Sequence, residues 1–362
     1  MKKIVKNLIW CGIVALLILL FHLLSGNRAV MNALAGAALP VKQAFARVCS
    51  LFPFSVAELE CTLAVLFLPG WVLWTCLSAA REKPRWPALL RCFSFLLGVL
   101  LTLYLFFCLL LGASYRADSF QDRSSLKAEP ESIEALTAAT ELFAQHLCET
   151  ADTVPRDGNG AFAVSVEDIF AGAADIYRGA EALFPILALR DVAPKAARYS
   201  RLLSYVDTTG FYFPFTGEAN INTDPPPALI PATIAHEMAH QRGVASEQEA
   251  NFIAILACSE SGMPAYVYSG WLFGFIHLGN ALYRYDPETY REIAARLPEE
   301  VWKDLRDNDA YWAGFDTPAA EVSTAVYDSM LRSYGQELGV RSYGAVVDLI
   351  LAWVREGGFG DA

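Results

Sequence analysis

Histidine is scarce in this sequence: 362 residues hold five of them. Charge is scarce as well, at 19% Asp, Glu, Lys and Arg against 54% hydrophobic residues. That balance excludes an ordinary soluble protein, and the apolar excess sits at the N-terminus. The eight cysteines include no CxxC pair. Five of them (Cys11, Cys61, Cys76, Cys92 and Cys108) lie in apolar runs and read as small membrane residues. Cys49, Cys148 and Cys258 remain, an odd number without motif spacing, so no disulfide framework and no cysteine metal site is inferred. Tandem repeats and low-complexity tracts are also lacking. Finally, residues 114–362 are poor in positive charge. They carry a net charge of −18, against +7 for residues 1–113. An acidic domain of this kind argues against nucleic acid as a partner.

Three long apolar runs are present, at about 8–24, 59–80 and 89–111. Each is close to the roughly 20 residues that cross a hydrocarbon core. The first is long for a signal peptide and no A-x-A cleavage site follows it, so it reads as a transmembrane helix. His22 within it reads as an interfacial residue. Residues 26–56 read as a loop, with an amphipathic surface helix over Val41–Phe52. Lys2, Lys3, Lys6, Arg81, Lys83, Arg85 and Arg91 fall on one side of the spans. Arg28, Lys42, Arg47, Arg116 and Arg123 fall on the other. The bias puts the N-terminus in the cytoplasm and residues 114–362 outside it. The expected organisation is a three-helix membrane anchor over 1–113 and one extracytoplasmic domain over 114–362, long enough for its own core. The lipid bilayer is then a partner.

Two of the five histidines stand four residues apart around a glutamate, in Thr233–Cys258 (TIAHEMAHQRGVASEQEANFIAILAC). Residues four apart share a helix face, so His236 and His240 can point at one metal ion. Glu237 sits where a carboxylate can take a proton from metal-bound water. Pro231 suits a first helical turn, and Gly243 suits a helix stop. Ser246 reads as the N-cap of a second helix, with Glu249 as its capping-box partner. The segment therefore reads helix, turn, helix, with acids facing back toward the first helix. A catalytic zinc takes three protein ligands and an open position, and Glu247 and Glu249 are both candidates for the third. Glu249 has a competing local task in the cap, so Glu247 is preferred.

The HExxH followed by E-x-E-A-N resembles the gluzincin type of zinc metallopeptidase. That resemblance implies Glu247 as third ligand and Asn251 as a residue that orients the site. The spacer between His240 and Glu247 is shorter than in most gluzincins, which keeps Glu249 in contention. The whole chain is similar to an uncharacterised bacterial family of membrane-anchored, zincin-like zinc metallopeptidases. It shares three N-terminal spans, the Gly210–Asn222 stretch (GFYFPFTGEANIN) and the HEMAHQRG…EANF block. The expected fold class is mainly α with a small β element, three transmembrane helices preceding a zincin-like α(+β) domain in a bacterial cell membrane.

Elsewhere, helices are expected over Pro130–Ala151, Val164–Leu183, Pro287–Leu297, Pro298–Trp312, Ala319–Tyr334 and Ser342–Arg355. Val154–Ala161 reads as a loop. Tyr266–Leu282, interrupted by Gly270, Gly274 and Gly279, reads as a buried core helix in preference to a fourth membrane-associated segment. His277 within it reads as a packed core histidine, and His146 reads as a surface or packing residue. The aromatic, glycine-bounded Gly210–Gly217 predicts a strand or hairpin. It is either an edge strand able to pair with an extended substrate or a core hairpin. The expected activity is hydrolysis of a peptide or protein substrate. Zn²⁺ would be held by His236, His240 and Glu247, with Glu237 as general base. Tyr327, Tyr334, His277 and Arg332 are candidate oxyanion donors. The alternatives are a metal-binding sensor or scaffold without hydrolysis, and an amidase acting on cell-wall material.

Overall fold

The computed structural model describes residues 1–129, 131–333 and 343–360. The chain falls into two compact units, one of residues 1–117 with 214–216 and one of 118–213 with 217–362.

The first unit holds α1 (Lys2–Leu24), α2 (Arg28–Cys49), α3 (Val56–Arg81) and α4 (Trp86–Phe107), the last continued by a π turn over Cys108–Gly112. α1, α3 and the extended α4 are long and apolar enough to cross a membrane, each somewhat longer than its apolar run. α1 and α4 lie side by side. Asn7 Nδ2 donates to the Arg91 carbonyl at 3.2 Å and to Ser94 Oγ at 3.1 Å, and His22 Nε2 meets Tyr104 Oη at 3.0 Å. These pairs advance together along both helices, so α1 and α4 run in the same direction. Helices one and three of a three-span anchor must do this. Residues 26–56 depart from the expected loop, because α2 covers most of them. Asn27 caps that helix by accepting from the Val30 N–H at 3.2 Å. The alanine-rich run before Pro40 supplies enough helix propensity to carry the proline inside.

The second unit holds the other helices in chain order. They are α5 (Phe120–Arg123), α6 (Ile133–Thr150), α7 (Val166–Gly172), α8 (Arg178–Leu183), α9 (Ser200–Tyr205) and α10 (Ile230–Gln241), then α11 (Glu247–Ser259), α12 (Pro264–Tyr285), α13 (Pro287–Ala294), α14 (Glu299–Ala313), α15 (Pro318–Ser333) and α16 (Tyr343–Arg355). Pro130, Tyr334 and Ser342, at the ends of three expected helices, lie outside the described residues. The single helix expected over Val164–Leu183 is two short ones joined by a 3₁₀ turn at Ala173–Asp175. The turn lets Tyr177 bury completely and donate its O–H to the Ala235 carbonyl at 2.6 Å. α12 is continuous through its glycines. A Cβ on Gly274 would come 2.1 Å from the Phe143 ring. Close approach of α6 therefore outweighs the helix penalty of about 1 kcal/mol per glycine. α10, α11 and α12 form the centre of the core, with α6 and α16 around them. Phe143, Phe252, Tyr266, Phe275 and Ile350 are buried there.

A three-stranded sheet has the order β1–β3–β2, with β1 Lys195–Ala196, β2 Gly210–Phe213 and β3 Glu218–Ile221. β1 runs parallel to β3, and β2 pairs antiparallel with it, Gly210 opposite Ile221 and Phe213 opposite Glu218. β3 is buried throughout and β2 is half-buried. In this order β2 is an edge strand among the described residues, while its partner β3 is part of the core.

One buried ion pair ties loop 154–162 to α14. Asp304 accepts from Arg156 Nη1 at 2.5 Å, Tyr268 Oη at 2.6 Å and the Phe162 N–H at 2.8 Å. Asp304→Ala strands the guanidinium, which is 13% exposed. It is expected to cost about 3–5 kcal/mol of unfolding free energy. Denaturant titration of the solubilised protein, followed by tryptophan fluorescence, measures this.

Candidate metal centre

The centre is built by the turn between α10 and α11. α10 starts at Ile230–Pro231, where the proline occupies a position that needs no N–H. The free Ala232 N–H finds Ser269 Oγ of α12 at 3.1 Å. α10 ends at Gln241. Gly243, at φ 84°, then permits a Schellman closure. The Val244 N–H donates to the Ala239 carbonyl at 3.2 Å and the Gly243 N–H to the His240 carbonyl at 3.0 Å. This closure fixes the Val244 carbonyl, which accepts from His240 Nδ1 at 2.7 Å. A carbonyl only accepts, so Nδ1 carries the proton and Nε2 is left facing inward.

His236 and His240 lie one turn apart on α10, their Nε2 atoms 3.1 Å from each other. Glu247 enters from the first turn of α11. Its Oε2 is 3.2 Å from His236 Nε2, and its Oε1 is 3.6 Å from His240 Nε2. One donor atom from each of the three lies within 4.8 Å of the others, a group that could hold a metal ion. Electrostatics bind the group tightly without any ion. Burial works against charge on His240, yet the Glu247 carboxylate outweighs it and lifts the imidazole pKa to about 9. Burial likewise opposes ionisation of Glu247, and His240 and His236 overcome it, holding that carboxyl well below the usual range.

Glu249 is elsewhere. Ser246 caps α11 by accepting from the Glu249 N–H at 3.5 Å. The expected reciprocal half of the capping box does not form. The Glu249 carboxylate instead accepts from the backbone N–H groups of Phe120 (2.8 Å) and Gln121 (3.0 Å), opening α5. These N–H groups at the start of α5, buried at Phe120 and part-buried at Gln121, have no carbonyl of their own to reach.

Glu237 is buried on the neighbouring position of α10, beside the three donors and facing β2. The Tyr212 backbone N–H hydrogen-bonds its carboxylate. Burial pushes its pKa up, only partly countered by His236 and His240. β2 approaches so closely that a Cβ on Gly210 would come 2.9 Å from Glu237 Oε1. The Tyr212 ring lies 6.4 Å from that of His240. The sequence marked the Gly210–Gly217 stretch as a possible substrate-pairing strand, but not the contact of Gly210 and the Tyr212 N–H with Glu237, because backbone groups leave no residue signature.

The other expected participants divide. Asn251 is half-buried on α11 and makes no side-chain hydrogen bond among the described residues. Tyr327 of α15 reaches the centre and donates its O–H to Glu247 Oε1 at 2.6 Å. His277 is buried on α12 against Phe273, its pKa lowered to about 4 by burial and by His236. Arg332 pairs with Asp328 at 2.7 Å, and Tyr334 lies outside the described residues. His146 stacks on Trp271 with ring centroids 4.1 Å apart, the packing role of the two expected.

A family model described as "Protein of unknown function (DUF3810)" matches residues 38–351, which includes α10, α11 and the whole centre. The chain belongs to this family. No curated protein and no solved structure matches it. For this DUF3810 member the chemistry of the centre therefore has to be read from its own residues.

Proposed function

We propose that this DUF3810 member is a membrane-anchored, zinc-dependent metallopeptidase with a zincin-like catalytic unit. The observation that carries the reading is the convergence of His236, His240 and Glu247 beside a buried carboxylate, Glu237, that stands outside the donor set. The donors fit the metal. Two imidazoles and one carboxylate are a zinc ligand set that leaves a fourth position open. The Val244 carbonyl already selects the His240 tautomer such a set requires. When bound, zinc lowers the pKa of a water it holds and polarises a carbonyl.

The chain's own residues supply the rest. Glu237 accepts a proton on its carboxylate and returns it to the leaving amine. The Tyr212 N–H keeps that carboxylate oriented. β2, an edge strand beside Glu237, is placed to line the cleft for an extended peptide. A buried general base has no use in a non-hydrolytic sensor, and among the described residues no fourth donor closes the set as a structural zinc would need. The unit bearing the centre is proposed to lie outside the cytoplasm of a bacterial cell. The parallel course of α1 and α4 supports this, since it sets Lys2, Lys3 and Lys6 at the same end as Arg85 and Arg91.

Zinc uptake is expected to depend on pH through His240. Below about pH 9 that imidazole carries a proton that the metal must displace. Zinc affinity should therefore rise about tenfold per pH unit and level off above pH 9. Chelator competition at stepped pH measures the slope.

The function is tested on the full-length protein in detergent, by its zinc content and its cleavage of an unstructured peptide library and of cell-wall peptides. One zinc per chain with peptide cleavage is the expected result. A folded protein that takes up no zinc would sink the reading. Cleavage of cell-wall peptides alone would make it an amidase.

A further inference from the structure

We infer that Tyr327 is a positioning residue for the third ligand, and that through it the metal centre depends on the placement of α15. The inference rests on the metal-centre reading above. Tyr327 follows Glu247 by 80 positions, yet its phenol donates to Glu247 Oε1 at 2.6 Å. The other oxygen of that carboxylate, Oε2, lies 3.2 Å from His236 Nε2. The terminal torsion of a glutamate is broad and nearly two-fold, and the first turn of a helix does nothing to narrow it. A hydrogen bond to Oε1 fixes the plane of the carboxylate, leaving Oε2 turned toward His236 and Oε1 itself 3.6 Å from His240 Nε2. Groups behind a metal ligand commonly change affinity by about 10- to 100-fold.

α15 is suited to make this contact conditional. Just before it, Thr317 Oγ1 donates to the Tyr205 carbonyl at 3.2 Å. Along its outer face Val322 is 64% and Val326 65% exposed. Tyr327 thus links a helix whose residues are mostly exposed to a ligand of the centre. Coupling of this kind is reciprocal. If the docked helix favours bound metal, bound metal must favour the docked helix by the same factor. Arg332, half-exposed in the last turn of α15, provides a tryptic site that reports the docking.

The experiment compares full-length wild type and Tyr327→Phe in detergent. Phe keeps the ring and the helix and removes only the hydroxyl, and thermal unfolding of the metal-free proteins checks that the fold is retained. Zinc affinity is measured by chelator competition, and tryptic cleavage after Arg332 with and without zinc. The expected result is a dissociation constant raised about 10- to 100-fold in Tyr327→Phe, together with loss of the protection that zinc gives at Arg332. Unchanged affinity overturns the inference, since a phenol serving only a reacting carbonyl would leave zinc binding as it was. Protection by zinc that persists in the variant overturns it too. A wild type that binds no zinc overturns the metal centre itself, so the two failures are told apart.

Discussion

Glu237→Gln is expected to remove peptide cleavage and leave zinc binding intact. Glu237 lies outside the donor group of His236, His240 and Glu247, so its replacement takes nothing from the metal. Glutamine is nearly isosteric and its carbonyl oxygen can still accept from the Tyr212 N–H, so the packing of α10 against β2 should hold. What is lost is the capacity to take a proton. General-base catalysis contributes about 10²–10⁴-fold, and kcat/KM should fall by that much at neutral pH. The pH profile gives an independent reading. Burial raises the Glu237 pKa above its ordinary value. The base must be ionised to act, so wild-type kcat/KM should fall as pH drops through that raised pKa. The residual activity of Glu237→Gln should lack this acid limb. A variant that cleaves at the wild-type rate would remove Glu237 from the mechanism.

The second large effect separates two glutamates that stand two residues apart. Glu247→Ala should abolish stoichiometric zinc, and Glu249→Ala should keep it. Removing a ligand costs more than removing the group behind it, so affinity in Glu247→Ala should weaken by more than about 100-fold. Glu249→Ala should instead lower stability. It leaves the Phe120 and Gln121 N–H groups without their acceptor, and an orphaned buried donor costs about 1–3 kcal/mol. Zinc titration and thermal unfolding of both variants give four results. The expected pattern is zinc lost in one and stability lost in the other. Zinc lost in Glu249→Ala alone would reverse the ligand assignment.

Much of this protein is set by its sequence alone, and the reason is periodicity and local chemistry. Three apolar runs fix three long helices because each run satisfies the length a bilayer demands. The four-residue spacing of His236 and His240 puts both on one face of α10 whatever surrounds it. Gly243 ends that helix because a positive φ is needed there, and the same closure orients His240 through the Val244 carbonyl. Ser246 starts α11 by capping it.

The tertiary structure decided what depends on distant partners. Glu247 and Glu249 both suit a helix start, and two residues on a helix differ by about 200° in direction. Only one can face α10, and the choice turns on α5, about 130 residues earlier, whose N–H groups take Glu249. β2 became an edge strand because β3 lies between it and β1, a pairing order that composition does not encode. The glycines of α12 looked like interruptions. They are contact points instead, because the cost of a glycine is local and its benefit belongs to the helix that packs against it. Tyr327, 80 positions from Glu247, was one of four candidates by residue type and became a neighbour of Glu247 only through the fold. Local patterns specify elements and the atoms they carry, and long-range packing specifies which of those atoms meet.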